Sequence, residues 1–379
     1  MNILVLGAGM VGRVIALDLA ETHNVTVADI DTHRLSGLVD GKVSIREVDA
    51  SNSAELAAAA ADFDMVVGAV PGFLGFDMLK TIIEARKPIV DISFCPEDPL
   101  TLHQIAVEKG VVAIVDAGVA PGLDNLILGH HDRSMTIESF ECVVGGLPKH
   151  PKWPFLYKAP FSPIDVIEEY TRPARYVEQS NEITRPALSD PEFIWFNEAG
   201  TLEAFNTDGL RTLISTMSHV PNMKEKTLRY PGHRALIEAL QHAGFFSDQE
   251  IDVGESPIRP IDATSRILVH DWALDPGEPE FTIMRVIVTG SESGQAVRYT
   301  YDLYDEYDPG TGFTSMARTT GFTCTAMVSY LVDHGILGPG VYPLELVGQM
   351  TGGFGFTLKH LSERGVNVRG RREELGDAG

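Results

Sequence analysis

Short aliphatic and β-branched runs alternate with helical segments through the first 125 residues of the chain. This alternation is typical of an α/β architecture, in which helices cover both faces of a parallel sheet. Right-handed crossovers predict the strand order 3-2-1-4-5-6. The predicted strands are residues 2–6, 24–28, 43–48, 65–70, 88–92 and 111–115, with helices centred near Ala16, Ala57, Ile82 and Ile105.

The pattern changes from about Glu138, because proline and aromatic residues crowd positions 147–173 and the regular alternation ends. Strands predicted at 138–144, 267–271, 281–289 and 296–305, with helices at 210–217 and 233–243, indicate a second, α+β domain with a mixed or antiparallel sheet. A helix predicted at 314–331 is expected to return to the first domain. We assign 1–125 and 314–345 to the first domain, 126–313 and 346–370 to a substrate and dimerisation domain, and 371–379 to a frayed tail.

Composition narrows the function classes. With 30 Lys and Arg against 53 Asp and Glu, the 379-residue chain carries a net charge of −23, which disfavours nucleic acid and membrane partners. Cys95, Cys142 and Cys324 are widely separated, and His130 and His131 lack a third ligand at metal spacing, so neither disulfides nor a metal are expected. Without a signal-peptide pattern or an uncharged run of ~18 residues, a cytoplasmic protein is expected. Its size and second sheet favour a homodimer.

A glycine motif follows the first predicted strand and opens the first predicted helix. In a Rossmann domain such glycines permit a tight turn, the approach of backbone amides to a pyrophosphate, and close helix packing. The alternative is a glycine-rich turn that serves packing alone. The motif comprises Gly7, Gly9, Met10, Val11 and Gly12, and Asp29 ends the next strand 22 residues after Gly7. Together these features predict a Rossmann dinucleotide-binding domain.

Asp29 is expected to accept hydrogen bonds from the adenosine ribose of that dinucleotide. A 2′-phosphate would meet Asp29 and Asp31 together, so NAD is the expected cofactor, while the nearby Arg34 leaves NADP open. Val70 and Pro71 follow the fourth predicted strand. Because ligands bind beyond the carboxyl ends of parallel strands, both residues are expected to border the dinucleotide.

Several short motifs occur in an order typical of one known family: GVAPGLD at 118–124, GGLP at 145–148, YK at 157–158, TLRY at 227–230 and SMA at 315–317. In this order the chain resembles saccharopine dehydrogenases over nearly its whole length. The segments NTDGLRT at 206–212 and YPGH at 230–233 are most similar to the family's compact lysine 6-dehydrogenase branch. The resemblance implies an NAD-dependent oxidoreductase that acts on a C–N bond of a small amino-acid substrate.

Two departures bear on that substrate. Saccharopine reductases carry a helical insertion after the TLRY segment, whereas about 35 residues separate Tyr230 from the next predicted strand here. They also place Arg directly after the Asn matched by Asn206, where this chain has Thr207. Both departures favour a substrate smaller than saccharopine. We expect oxidative deamination of L-lysine to its 6-semialdehyde, with release of ammonia.

Two alternatives to lysine oxidation remain open. One is a saccharopine dehydrogenase-type reaction on a secondary amine that joins an amino acid and an oxo acid. The other is a non-catalytic, NAD-binding regulator that keeps the fold.

Amine oxidation needs a base, because only the free nitrogen lone pair can expel a hydride. Deprotonating a lysine ammonium of pKa ~10.4 at pH 7 costs about 4.6 kcal/mol. Lys158, His233 and Asp124 are the candidate bases, since each lies in a motif of the resemblance. Each has a structural alternative: a surface lysine, a structural histidine at a helix start, or a helix-capping carboxylate.

The substrate carboxylate calls for a planar donor. Arg211, which is preferred, and Arg229 are the candidates for this donor, and Tyr230, which follows Arg229, is the third predicted substrate-binding residue. As alternatives, Arg211 pairs with Asp208 on an exposed helix face, and Arg229 braces a loop.

Overall fold

The computed structural model describes residues 1–36, 38, 41–161, 163–254, 256–335 and 338–376. Its strands are β1 (Asn2–Leu6), β2 (Asn24–Asp29), β3 (Ser44–Glu47), β4 (Met65–Gly68), β5 (Ile89–Asp91), β6 (Val112–Val115), β7 (Thr136–Pro148), β8 (Ala174–Glu178), β9 (Asn181–Arg185), β10 (Glu192–Phe196), β11 (Gly200–Asn206), β12 (Met223–Arg229), β13 (Ile251–Val253), β14 (Ser256–Ile258), β15 (Glu280–Glu292), β16 (Gln295–Glu306), β17 (Gly340–Pro343) and β18 (Val368–Glu374). Its α-helices are α1 (Met10–Leu19), α2 (Thr32–Ser36), α3 (Ser53–Ala60), α4 (Gly72–Glu84), α5 (His103–Lys109), α6 (Leu123–Asp132), α7 (Pro163–Thr171), α8 (Leu213–Thr216), α9 (His233–His242), α10 (Pro260–Trp272), α11 (Ser315–Asp333), α12 (Leu344–Gly348) and α13 (Gly353–Glu363).

The first sheet is parallel, with the strand order β17-β6-β5-β4-β1-β2-β3. The predicted order of the first six strands is confirmed, and β17 extends the sheet beside β6. The inner strands β1 and β4 are almost wholly buried, as expected for a sheet covered on both faces. The order reverses between β1 and β4, and this switch point opens a crevice at the carboxyl ends of the strands.

The second sheet is mixed, as predicted. Its main path runs β10-β11-β12-β7-β15-β16-β18, while β8 pairs with β12 and β9. Strands β12 and β7 are parallel, whereas β15 pairs with both β7 and β16 in antiparallel fashion. The long strands β7, β15 and β16 form its centre. They include the strands predicted at 138–144, 281–289 and 296–305.

One predicted strand is wrong. Residues 267–271 belong to α10, in which Leu268 and Trp272 are buried while Ile267 is 67% exposed. The two buried residues are four positions apart, which is close to the period of an α-helix. In the sequence alone, an aliphatic run this short does not distinguish a helix from a strand. The chain between Tyr230 and β15 therefore contains α9, the β13–β14 hairpin and α10. The short connection that favoured a small substrate does not exist.

Helix α11 packs on α1 of the first sheet's helical layer. A Cβ on Gly321 would lie 3.1 Å from Val14, so the two helices are in close contact. The Thr314 side chain caps α11 by accepting a hydrogen bond from the Ala317 amide at 3.3 Å. Helix α13 packs on α11, and α12 packs on α6.

The tail predicted at 371–379 is wrong in its first part. Strand β18 runs to Glu374 and pairs with β16, from Val297 opposite Glu374 to Leu303 opposite Val368. Residues 377–379 lie outside the described residues. Among the described helices, none has the length and apolar character required to cross a membrane. The cytoplasmic location and the homodimer stay predictions.

Close packing of α6 on α12 gives a test of the fold. A Cβ on Gly129 would lie 1.9 Å from the Glu345 carbonyl oxygen. Gly129→Ala is therefore expected to lower the free energy of unfolding by about 1–3 kcal/mol, because the backbones must separate. Chemical denaturation measures this change. Gly355→Ala, in α13 with open space around its Cβ position, is the control and is expected to stabilise by up to ~1 kcal/mol. Equal changes in the free energy of unfolding for the two variants would contradict the close packing of α6 on α12.

Candidate active site

The loop between β1 and α1 has the backbone geometry that a pyrophosphate needs. Gly7 has a φ of +104°, and a Cβ there would lie 2.3 Å from the Ala69 carbonyl oxygen. A Cβ on Gly12 would lie 2.0 Å from the Gly7 carbonyl oxygen, so α1 packs directly on the loop. A Cβ on Gly9 would have no atom within 4 Å. Gly9 directly precedes α1, and no side chain caps the first turn of this helix. These residues fit a dinucleotide, which Gly9 and the first amides of α1, Met10 and Val11, would hold.

Asp29 supports this loop from the end of β2. Its Oδ2 accepts a hydrogen bond from the Ala8 amide at 2.7 Å, and its Oδ1 accepts one from the Asp31 amide at 2.8 Å. Arg34 is 56% exposed and lies 3.9 Å from the Asp29 carboxylate and 3.4 Å from that of Asp31. Two carboxylates and one guanidinium therefore surround the end of β2.

The other side of the crevice is formed where β4 and β5 end. Val70 and Pro71 follow β4, and Pro71 precedes the first turn of α4. A Cβ on Gly72 would lie 2.2 Å from the carbonyl oxygen of Phe94, which follows β5. The guanidinium carbon of Arg172, just after α7, lies 5.4 Å from the centre of the Phe94 ring. The chain that follows α7 thus reaches the carboxyl edge of the parallel sheet.

Arg211 bridges the two sheets. Its Nε donates to both carboxylate oxygens of Asp116 at 3.0 Å, and its Nη1 donates to the Cys95 carbonyl oxygen. Both Arg211 and Asp116 are buried, and both have positive φ values, +44° and +52°. The Arg211 guanidinium, which was predicted to bind a substrate carboxylate, therefore binds Asp116 in the structure. The alternative pairing with Asp208 is also wrong, because Asp208 accepts hydrogen bonds from Arg175 at 3.0 Å.

Arg229 ends β12 and is fully buried. Its Nε donates to the Tyr170 hydroxyl at 2.7 Å, its Nη1 to the Leu228 carbonyl oxygen at 2.9 Å, and its Nη2 to Glu169 at 3.3 Å. The Tyr157 ring lies 4.4 Å from the guanidinium carbon. Arg229 holds this internal network together in the structure, which fits the bracing alternative better than carboxylate binding.

His233 is buried in the same network and its proton can be placed. Its Nδ1 lies 2.7 Å from the Phe155 carbonyl oxygen, which can only accept, so Nδ1 carries the hydrogen. Its Nε2 lies 3.0 Å from the Tyr170 hydroxyl. Burial and then the Arg229 charge lower the pKa of His233 to about 3, so the ring is neutral and Nε2 accepts from Tyr170. Without a free lone pair, His233 does not fit the predicted role of base.

Lys158 and Tyr230 also bind backbone carbonyls. The Lys158 ammonium donates to the carbonyl oxygens of Asp271 and Ala273 at 2.7 and 2.9 Å. These groups lie at the C-terminal end of α10, where a cation is favoured. The Tyr230 hydroxyl donates to the Pro148 carbonyl oxygen at 2.9 Å. In these positions both side chains stabilise the second sheet and its helices.

Asp124 lies in a buried acidic cluster that we define as Asp124, Glu225 and Glu345. Asp124 Oδ1 accepts a hydrogen bond from the Gly122 amide at 2.8 Å, which supports the capping alternative. Burial is the main reason that the pKa of Asp124 rises to about 7 and that of Glu225 rises well above its usual value. The Asp124 Oδ2 and Glu225 Oε2 atoms have no hydrogen-bond partner among the described residues.

No group of three His, Cys, Asp or Glu side chains in the described part of the chain could hold a metal ion. His131 instead lies with Nε2 2.8 Å from the Tyr301 hydroxyl, and His130 stacks on Phe354. Both histidines thus serve packing.

Two family models match consecutive parts of the chain. Residues 3–114 match the saccharopine dehydrogenase NADP binding domain, and residues 118–366 match the saccharopine dehydrogenase C-terminal domain. The chain belongs to the saccharopine dehydrogenase family. The family resemblance and the dinucleotide-binding domain inferred from the sequence are thereby confirmed.

Relatives in the saccharopine dehydrogenase family are distant. The mitochondrial alpha-aminoadipic semialdehyde synthase of Mus musculus is 24% identical over 89% of this chain and 45% of that protein. The NADP(+), L-glutamate-forming saccharopine dehydrogenase of Saccharomyces cerevisiae is 26% identical over 68% of this chain and 61% of that protein. The matches thus cover about half to three fifths of these relatives.

Solved structures show the same fold. Apo saccharopine dehydrogenase (L-Glu forming) from Saccharomyces cerevisiae has a TM-score of 0.76 and 19% identity, covering 98% of this chain and 99% of that one. Homospermidine synthase from Legionella pneumophila, in complex with NAD, has a TM-score of 0.69 and 12% identity. The match covers 100% of this chain and 93% of that one.

Within this family fold, sequence reasoning missed the pairing of Asp116 with Arg211, and it missed Glu169 and Glu225. Asp116 directly follows the sixth predicted strand, so its place at the sheet edge was readable, but its partner Arg211 is 95 residues away. Glu169 lies in α7, between Pro163 and Pro173. Proline at the start of a helix and just past its end is a recognisable signal that the aromatic composition obscured.

The acidic cluster makes stability depend on pH. A carboxyl whose pKa is raised on folding keeps its proton in the native state, so the free energy of unfolding falls as pH rises from about 4.5 toward the raised value. Glu225→Gln is therefore expected to reduce the loss of thermal stability between pH 5 and pH 8 by several degrees, measured by calorimetry. Glu182→Gln, on the exposed part of β9, should leave that loss unchanged. An unaltered pH dependence in Glu225→Gln would contradict a protonated native carboxyl.

Proposed function

We propose that this protein oxidises the 6-amino group of L-lysine with NAD, yielding the 6-semialdehyde and ammonia. Membership in the saccharopine dehydrogenase family supports oxidation of an amino-acid C–N bond. The observation that carries the choice of substrate is that Arg211 and Arg229, the two guanidinium groups expected to hold substrate carboxylates, are both engaged by other residues of the protein.

Three positions bear on that observation. Arg211 is committed to Asp116, and Arg229 is committed to Tyr170 and Glu169. Thr207, which stands where saccharopine reductases have Arg, is buried with its hydroxyl 2.9 Å from that of Thr227. Saccharopine has three carboxylates, whereas lysine has one and is a net cation. The net charge of −23 also favours the approach of a cation over that of an anion.

A bound nicotinamide dinucleotide would supply the hydride acceptor for this reaction. The protein's own residues bind and orient: the glycine loop holds the dinucleotide, and Asp29 supports the loop through the Ala8 amide. Arg211 fixes the loop that follows β6 through Asp116, while α7 and Phe94 bound the crevice.

NAD is proposed because the end of β2 carries a net negative charge. Asp29 and Asp31 outnumber the exposed Arg34, and a 2′-phosphate would approach both carboxylates. The family model bears the name of an NADP binding domain, so the two dinucleotides must be compared directly.

Fluorescence titration with NADH and NADPH tests the dinucleotide choice. The wild-type protein is expected to bind NADH at least tenfold more tightly, because the carboxylates repel the 2′-phosphate. Asp29→Asn keeps an acceptor for the Ala8 amide but removes one negative charge. It should therefore reduce the preference for NADH over NADPH, measured as the ratio of their dissociation constants, by about tenfold. Tighter binding of NADPH by the wild type would overturn the proposal of NAD.

Saccharopine is the second candidate substrate, and the names of the relatives favour it. Its oxidation splits a secondary amine and releases a second amino acid in place of ammonia. The helices between Tyr230 and β15 also remove one argument against it.

Product analysis separates the candidates. Purified protein with NAD and L-lysine is expected to release one ammonia per NADH formed, at a rate that rises with pH because the free amine reacts. Incubation with saccharopine in parallel should give much slower NADH formation and no ammonia. Faster turnover of saccharopine would replace lysine as the substrate. Dinucleotide binding without turnover of either compound would support the non-catalytic regulator.

A further inference from the structure

One face of α7 and its C-terminal end points toward the parallel sheet. Asp165, Glu169 and Arg172 are spaced four and three residues apart, so they lie on the same side of the helix. At one end, Asp165 Oδ1 is 3.4 Å from the position of a Cβ on Gly72, the first residue of α4. At the other end, Arg172 lies over the Phe94 ring. Glu169 therefore lies between two contacts with the carboxyl edge of the sheet, where Pro71 and Phe94 border the crevice.

Glu169 is also the more open member of its ion pair. Its side chain is 20% exposed, whereas that of Arg229, 3.3 Å away, is 2% exposed. Behind Arg229 lie Tyr170 and His233, both buried. Glu169 is thus where this internal network reaches accessible surface.

A second observation concerns Tyr157. Its ring packs against the Arg229 guanidinium, and its buried hydroxyl has no hydrogen-bond partner among the described residues. Buried hydroxyls are normally paired. An unpaired polar group beside the Glu169–Arg229 pair indicates a place for a polar ligand.

We propose that Glu169 accepts the proton from the ammonium group of the substrate amine. This inference rests on the proposed function, since it needs an amine substrate in the crevice. Among the predicted bases, His233 has no free lone pair, Lys158 binds two carbonyls, and Asp124 caps α6.

The electrostatic surroundings suit this task. Burial raises the pKa of Glu169 to about 7, and Asp165 acts in the same direction, while Arg229 and Arg172 oppose it. Glu225 from β12, Tyr157 and Tyr170 are further titratable groups near Glu169. A base with a pKa near the working pH combines a large ionised fraction with useful proton affinity.

The proposed step is a single proton transfer. The ammonium R–NH₃⁺ and the Glu169 carboxylate become the amine R–NH₂ and the Glu169 carboxylic acid. No electrons move in this step. A bound oxidised dinucleotide would supply the hydride acceptor for the neighbouring carbon, and the lone pair freed by Glu169 would assist that oxidation.

Glu169→Gln tests the proposal, because Gln keeps the shape and can still accept from Arg229. We expect kcat/KM for L-lysine to fall at least 100-fold. In the wild type, kcat/KM should rise through pH ~7, whereas the residual activity of the variant should rise only toward the pKa of the free amine, ~10.4. Glu169→Asp should retain part of the activity and the limb near pH 7. Glu182→Gln is the control, since Glu182 lies on the exposed part of β9 and its replacement should leave the pH profile in place.

A readout without turnover accompanies the kinetics. Infrared difference spectra of the unliganded protein, titrated between pH 5 and pH 9, should show a carboxyl signal near pH 7 that is lost in Glu169→Gln and kept in Glu182→Gln. Identical spectra for the wild type and Glu169→Gln would overturn the proposal. The proposal would also be overturned if the wild type is active and Glu169→Gln keeps both its kcat/KM and the rise of kcat/KM near pH 7. A wild type that oxidises no amine would instead overturn the proposed function, and this inference with it.

Discussion

The buried ion pair between Arg211 and Asp116 joins the two sheets at the crevice. Arg211 comes from the loop after β11, and Asp116 follows β6, so the contact ties the second sheet to the carboxyl edge of the first. A buried charge left without its partner is strongly unfavourable, by about 3–5 kcal/mol. Both residues also adopt left-handed backbone conformations that non-glycine residues rarely accept. The pair therefore fixes two strained loops at once, and the geometry of the crevice depends on it.

Burial of charge is a recurring constraint in this acidic chain. Asp124, Glu225 and Glu345 are packed where α6, β12 and α12 meet the loop around Gly209, and a Cβ at Gly209 would lie 2.1 Å from Glu225. Glu345 Oε2 accepts a hydrogen bond from Asn125 at 3.0 Å, and its Oε1 accepts one from Thr216 at 2.7 Å. Burial raises the pKa of Glu345 as well, although these hydrogen bonds oppose the rise. Glu169 differs because it is partly exposed and faces a guanidinium, so its proton can exchange.

The sequence predicted well what depends on local patterns. The strands β1, β2, β4, β7, β15 and β16, the glycine loop and the cap at Thr314 follow from periodicity, turn chemistry and spacing. The sequence could not predict pairings between distant residues. Arg211 was expected at a substrate carboxylate, but its partner Asp116 is 95 residues earlier in the chain. The short strands β8 and β17 depend on their neighbours in the sheets, and α10 has an aliphatic run that also fits a strand.

The direction of the hydrogen bonds around Arg229 explains why His233 does not fit the role of base that its place in the sequence suggested. Arg229 donates to Tyr170, Tyr170 donates to His233, and His233 donates to the Phe155 carbonyl oxygen. Every donor in this series points away from Arg229, so none of these side chains can take a proton without reversing its neighbours. Arg229 also donates to Glu169, which as a carboxylate can accept further hydrogen bonds and can take up one proton. A histidine pattern in a sequence indicates a base only where one nitrogen is free, and that freedom is decided by tertiary contacts.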